Sequence, residues 1–162
     1  MSRGRSHLPA SSLVMAVTSD GGRHWQVRTR RVGTGSQDFY PASCPTVTDC
    51  VVADTKSLFA SADGGSTWAE AYHEVGTSSI GGLSCPTTRL CVATESVLAD
   101  PSLAVIVGSP GHFTVAPAEQ LETLPSGDGP PEVSCPTTTT CFFYSALQAD
   151  GKLVRSRGSL DS

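Results

Sequence analysis

Three copies of one short cassette punctuate this chain: Ser43-Cys44-Pro45-Thr46-Val47-Thr48-Asp49-Cys50, Ser84-Cys85-Pro86-Thr87-Thr88-Arg89-Leu90-Cys91 and Ser134-Cys135-Pro136-Thr137-Thr138-Thr139-Thr140-Cys141. All six cysteines fall in these cassettes, always with five residues between the pair. A second repeat is interleaved, Thr18-Ser19-Asp20-Gly21-Gly22-Arg23-His24-Trp25 and Ser61-Ala62-Asp63-Gly64-Gly65-Ser66-Thr67-Trp68. Successive cassettes are 41 and 50 residues apart, and Asp20 and Asp63 are 43 apart. Self-similarity at a period in the low forties marks a repeat architecture, and four short strands per repeat suit that length.

The residues between the motifs agree. Val51-Val52 and Leu58-Phe59-Ala60 are short apolar runs bounded by Asp, Gly, Ser and Pro, the pattern of strands joined by tight turns. No long window repeats apolar residues at i, i+3, i+4 and i+7, which excludes a helical repeat. The 16 glycines and 11 prolines among 162 residues are spread along the turns instead of forming one tract, so the chain reads as folded.

A net charge of −4 argues against nucleic acid as a partner. Six of the basic residues, Arg3, Arg5, Arg23, Arg28, Arg30 and Arg31, lie in the first 31 positions. They read as a solvated tail over 1–11 followed by a polar outer strand. No apolar run reaches the length of a spanning helix.

Within a cassette, a turn seeded by Pro and Thr would set the two cysteines opposite each other on adjacent antiparallel strands, a separation that suits a disulfide. The expected pairs are Cys44–Cys50, Cys85–Cys91 and Cys135–Cys141. Each ring would contribute about 2 kcal/mol in the loop-closure model. Reduced thiols and a zinc site are the alternatives, although zinc pairs favour shorter gaps and three distant pairs do not converge on one ion. Disulfides imply an oxidising, extracytoplasmic location. The run Leu13-Val14-Met15-Ala16-Val17 is too short for a signal peptide and reads as a strand, so the export signal is expected upstream of a truncated start.

The segments Thr18-Asp20-Gly22-Trp25 and Ser61-Asp63-Gly65-Trp68 resemble the Asp-box, or BNR repeat, of sialidases and other propellers, and the cassettes resemble secreted bacterial repeat proteins of the WD40/YVTN/BNR-like class. The resemblance implies an all-β fold of β-propeller blades, each a four-stranded antiparallel sheet, in an incomplete ring of three to four blades over residues 12–160. The blade parts would be 12–31, 36–75, 78–117 and 120–160. It also implies that Thr18, Asp20, Gly22, Trp25, Ser61, Asp63, Gly65 and Trp68 are structural, since such boxes lie away from the catalytic face.

The segment Val107-Gly108-Ser109-Pro110-Gly111-His112-Phe113 keeps a turn and an aromatic but has lost the Asp. A sialidase-like site would need three arginines, a Tyr/Glu nucleophile pair and an acid/base Asp; Tyr40, Tyr72 and Tyr144 are the available tyrosines, and none lies in a segment matching catalytic positions. No Gly-rich phosphate loop, nucleophile elbow or His-Glu-x-x-His helix appears, so neither cofactor nor metal is expected. His7, His24, His73 and His112 are scattered, one per region. The expected function is a non-catalytic extracytoplasmic binding or scaffolding module for a glycan or protein, either by itself or as a fragment of a longer protein; the chain alone is expected to self-associate through its open blade edges. The alternative is a piece of an Asp-box glycoside hydrolase.

Overall fold

A computed structural model describes residues 12–31, 39–76, 78–97, 100–116, 131–145 and 154–159. Expectations resting on the tail 1–11, on His7 and on the side chains of Arg31 and Tyr40 fall outside the described residues. The described chain is all-β. Strands β1 (Ser12–Val17) and β2 (Gln26–Arg31) form an antiparallel hairpin. Then come two four-stranded antiparallel sheets in simple sequence order. The first contains β3 (Phe39–Ser43), β4 (Cys50–Asp54), β5 (Ser57–Ser61) and β6 (Ala69–His73). The second contains β7 (Ser79–Thr87), β8 (Leu90–Val97), β9 (Asp100–Ser109) and β10 (His112–Ala116). A three-stranded sheet of β11 (Glu132–Ser134), β12 (Thr140–Ser145) and β13 (Val154–Ser159) completes the order. None of the sheets closes on itself, and no described helix is long and apolar enough to cross a membrane.

The four sheets stack face to face, which explains the continuous apolar runs of the central strands. A strand covered on one face alternates; one covered on both does not. All five residues of β4 are buried. Val52 and Phe59 face the β1–β2 hairpin with Leu13 and Met15, whereas their neighbours Val51 and Leu58 face β7–β10 with Ile80, Leu83, Ile106 and Phe113. The next sheet repeats the division. Cys91, Ala93 and Ile106 face backwards, while Val92 and Val105 face forwards onto Val133, Cys141 and Phe143.

The cassettes form the joints between these layers. Cys44–Cys50, Cys85–Cys91 and Cys135–Cys141 are disulfide-bonded with Cα separations of 4.1, 4.0 and 4.1 Å. Ladder pairs Ser43↔Val51, Ser84↔Val92 and Ser134↔Phe142 place each pair of cysteines opposite one another at the end of its hairpin. The recurring Thr closes the turn: Thr46 Oγ1 accepts from the Asp49 N–H at 2.8 Å, Thr87 Oγ1 from Leu90 at 3.2 Å, and Thr137 Oγ1 from Thr139 at 3.3 Å. The recurring Ser acts on the next sheet. The Cys85 N–H donates to Ser43 Oγ and the Cys135 N–H to Ser84 Oγ, both at 2.9 Å. Three disulfides within one chain are consistent with an extracellular or secreted protein.

Candidate functional site

Each sheet presents two ends, and the polar side chains divide between them. One end carries the cassette turns and the Asp-Gly-Gly turns, which touch where the Gly64 N–H donates to the Thr48 carbonyl at 2.8 Å. The two Asp turns share one backbone hydrogen-bond scheme. Asp20 Oδ1 accepts the backbone N–H groups of Arg23 and His24, each at 3.0 Å, and Asp63 Oδ1 accepts those of Ser66 and Thr67 at 2.9 and 2.8 Å. Thr18 and Ser61 donate their hydroxyls to the same carboxylates and accept the N–H groups of Gly22 and Gly65. The second carboxylate oxygen is taken by His24 Nδ1 at 2.5 Å in one turn and by Thr67 Oγ1 at 2.6 Å in the other. Both oxygens of each Asp are thus spent inside the turn.

The glycines and tryptophans complete these turns. Gly22 and Gly65 sit at φ 91° and 81°, the left-handed region that favours glycine. A Cβ on Gly65 would also lie 2.7 Å from the Met15 side chain. The indole N–H of Trp25 donates to Gly22 O and that of Trp68 to Gly65 O, at 3.0 and 3.2 Å. Trp68 is half-buried against Leu13 and Met15, whereas Trp25, on the outermost hairpin, is 59% exposed. Arg28 and Arg30, read from the sequence as part of a polar outer strand, reach across to the carbonyls of Gly64 and Ser66 at 3.1 and 2.9 Å. The third hairpin, between β9 and β10, turns instead through Pro110 and Gly111, with φ 101° at the glycine, and buries Phe113.

Accepting several donors holds Asp20 and Asp63 at about 2. The largest contribution comes from the His24 backbone N–H for Asp20 and from the Thr67 hydroxyl for Asp63. A carboxylate whose pKa is lowered by folding stabilises the fold above its unfolded pKa, and this stabilisation is lost as the pH falls through the folded value. We therefore expect the melting temperature to decline between about pH 4 and pH 2, and the Asp20→Asn/Asp63→Asn double variant to lose most of that dependence. Thermal melts of both proteins across that range check it; parallel curves would remove the two turns as its source.

The opposite end carries a cluster that the sequence did not suggest. It joins the β4–β5 turn, the segment after β6 and β8. Asp54, buried at the end of β4, accepts the N–H groups of Lys56 and Ser57 at 2.7 and 2.6 Å and so closes the β4–β5 turn. Lys56 Nζ donates to the Gly76 and Ser78 carbonyls at 2.7 and 2.6 Å. Beside it, Glu74 accepts from the Gly76 N–H at 2.5 Å and from the Tyr72 hydroxyl at 3.1 Å. Glu95 of the next sheet, 3% exposed, hydrogen-bonds to Glu74 and to Ser78.

Burial pushes Glu95 up; its bond to Glu74 and that group's charge add to this, while Ser78 and Lys56 offset part. Burial also acts to raise Glu74, but the hydrogen bonds from Glu95, Gly76 and Tyr72, with the Lys56 charge, outweigh it and hold Glu74 low. A hydrogen bond between two carboxyl groups needs one proton, and the opposed shifts favour its place on Glu95. Burial, then the nearby carboxylates, keeps Tyr72 protonated far above its ordinary value. Because the folded state raises the Glu95 pKa, its contribution is complete below the ordinary value of 4.5 and is lost as the pH rises through the folded value. Glu95→Gln keeps a donor for Glu74 without a titrating proton. It is expected to melt higher than the unsubstituted protein at pH 8 and equally at pH 4; a lower melting temperature at pH 8 would contradict the shared proton.

Ser57, Glu70 and His73 also lie together, but not as a nucleophile relay. Ser57 Oγ and Glu70 Oε1 both meet His73 Nδ1, at 2.8 and 3.0 Å, and Ser57 is 3% exposed. A relay needs the hydroxyl and the carboxylate on opposite ring nitrogens. His24 and His112 are exposed on separate hairpins, and Tyr144, 44% exposed, lies on β12, in a different sheet from Tyr72 on β6. No family model, curated protein or solved structure matches this chain.

Proposed function

We propose that the chain is a section of a β-propeller of the Asp-box kind, serving as a non-catalytic extracytoplasmic module that binds or scaffolds a glycan or protein. One observation carries the reading: successive sheets are joined in one direction by one recurring bond, from the Cys N–H of each cassette to the Ser hydroxyl of the cassette before it. A unidirectional joint between blade-like sheets is what a radial repeat requires. The Asp turns fit a structural role, because their carboxylates and indole N–H groups are consumed locally. The ligand would meet the opposite end, where Lys56, Tyr72 and Glu74 lie.

The glycoside hydrolase alternative gains one observation, the bond from the Tyr72 hydroxyl to Glu74. Against it, Glu74 and Glu95 contact one another directly, leaving no space for a reacting sugar between them, and Arg28 and Arg30 are committed to backbone carbonyls. A fluorogenic sialoside assay on the oxidised protein separates the readings. We expect no turnover. Turnover abolished by both Tyr72→Phe and Glu74→Gln would establish the hydrolase.

A further inference from the structure

The polar end holds one contact that rising pH opposes. Cys91, Ala93 and Glu95 alternate along β8 and so form one row. Cys91 and Ala93 pack in the layer against the first four-stranded sheet, and Glu95, opposite the buried Ile80 and itself 3% exposed, continues that row to its end. There its carboxyl group meets the carboxyl group of Glu74 and the hydroxyl of Ser78. Two carboxyl groups in direct contact and away from water do not both ionise, so this contact exists only with a proton in it.

The same contact fastens residues 74–76, which leave β6 as a turn with Val75 91% exposed at its tip. The other ties of this turn run to the β4–β5 turn. The Glu74 N–H donates to the Lys56 carbonyl at 2.7 Å, and Lys56 Nζ donates to the Gly76 and Ser78 carbonyls. The Gly76 N–H donates to Glu74 Oε1, so the backbone here is tied to the Glu74 side chain. Lys56 and Glu95 meet at one residue, Ser78, the ammonium on its carbonyl and the carboxyl group on its hydroxyl. The other ionisable groups nearby are Tyr72, whose hydroxyl donates to Glu74, and Asp54, whose carboxylate is taken by the Lys56 and Ser57 N–H groups. Beside Glu95, β7 and β9 set Ile80 and Ala104, and β11, on the other face of β8, carries Glu132 at an exposed position.

We infer that residues 74–76 form a latch that closes in acid and opens as the pH rises. The proton between Glu95 and Glu74 holds the turn against β8. When that proton leaves to solvent the two carboxylates repel, and Glu74 swings out into water with Gly76. Lys56 then exchanges the Gly76 and Ser78 carbonyls for the Glu95 carboxylate. Glu95 is satisfied in both states, by a shared proton in one and by an ion pair in the other, which makes the latch a two-state element. Burial, which raises Glu95, fixes the sign: the latch is shut below the ordinary value of 4.5, and above the raised folded value it opens about ten-fold further per pH unit. That a ligand meets this end is the reading proposed above; the latch would give such a ligand a different surface in acid, and its opening is measured with no ligand present.

Amide hydrogen exchange on the oxidised protein at pH 4 and pH 8 tests the inference, with Glu95→Gln and Glu74→Gln compared at the same pH. Each substitution leaves an amide that donates to the remaining carboxylate without a titrating proton. At pH 4 the three proteins are expected to exchange alike at positions 74 and 76. At pH 8 the unsubstituted chain should exchange there at least about ten-fold faster than either variant. The Ile80 N–H, which donates to the Thr55 carbonyl at 3.0 Å, is the reference and should stay equally protected in all three. Either variant exchanging as fast as the unsubstituted chain at pH 8 would overturn the latch. So would loss of protection at Ile80 together with 74 and 76, because the sheets themselves would then be parting.

Discussion

Replacing Gly82 with alanine is expected to be strongly destabilising, because the added methyl group would run into the backbone of another sheet. A Cβ at this position would lie 2.4 Å from the Val133 nitrogen and 2.8 Å from the Glu132 backbone, all main-chain atoms of β11. Neither side yields easily. The Gly82 N–H donates to Thr94 Oγ1 at 2.7 Å and to the Pro131 carbonyl at 3.2 Å, and the Thr94 hydroxyl donates to that same carbonyl. The methyl group would therefore wedge the third and fourth sheets apart at the point where a buried network ties them. Overpacking typically costs about 1–3 kcal/mol, and with no flexible neighbour to absorb it the cost here is expected at or above the top of that range, against a total of about 5–15 for a domain. Gly111→Ala is the control: nothing lies within 4 Å of its Cβ, and only the φ of 101° opposes it, at roughly 1 kcal/mol. Urea denaturation of both variants checks the order. Equal midpoints would mean that the inter-sheet contact at Gly82 is loose.

Gly82 also shows where sequence reading stops. The Ser-Cys-Pro-Thr cassettes and the Asp-Gly-Gly-x-x-Trp turns are legible because their partners are local: a cysteine six positions on, an Asp four positions before the group it holds. Sheet order follows from them, since hairpin turns of fixed length set antiparallel neighbours in sequence. What sequence could not show is what each element meets across the stack. Gly82 looks like any glycine in a Gly-Gly pair until β11, some fifty residues later, is laid against it. The cassette serine looks like turn filler until the next cassette arrives 42 or 51 residues on. Arg28 and Arg30 look like a basic strand until the second Asp turn offers its carbonyls.

The polar end was hidden for a second reason. Glu74 follows β6 in a polar segment, and Glu95 sits in a strand otherwise read as apolar, so neither has a motif around it. A charged residue inside the run Cys91-Val92-Ala93-Thr94-Glu95 was the available signal: an acid in a strand buried on both faces requires a partner. The partner's identity depends on how two sheets are offset, which no local pattern encodes.

Reducing the three disulfides is expected to unfold the protein or leave it barely stable at 25 °C. Each ring encloses few residues, so loop closure contributes only about 2 kcal/mol apiece, or about 6 kcal/mol for the set, a large share of a domain's usual stability. The sulfurs also pack. Cys91 and Cys141 are 0% and 1% exposed, and Cys85 and Cys135 lie in the apolar layers between sheets, so unpaired thiols there would have to be accommodated without the fixed hairpin ends that now place them. The joints would suffer in turn, because the Cys85 and Cys135 N–H groups that bond to Ser43 and Ser84 are positioned by those ends. The three bridges should accordingly differ. Removing Cys85–Cys91, which sits between two joints and borders the largest core cluster, is expected to cost most. Removing Cys44–Cys50, whose first cysteine is exposed, should cost least. Paired Cys→Ala variants, one bridge at a time, followed by denaturant melts in the absence of reductant, read this order directly. A Cys44→Ala/Cys50→Ala variant at least as destabilised as Cys85→Ala/Cys91→Ala would show that the bridges act only on the unfolded chain, where three rings of equal length must count the same.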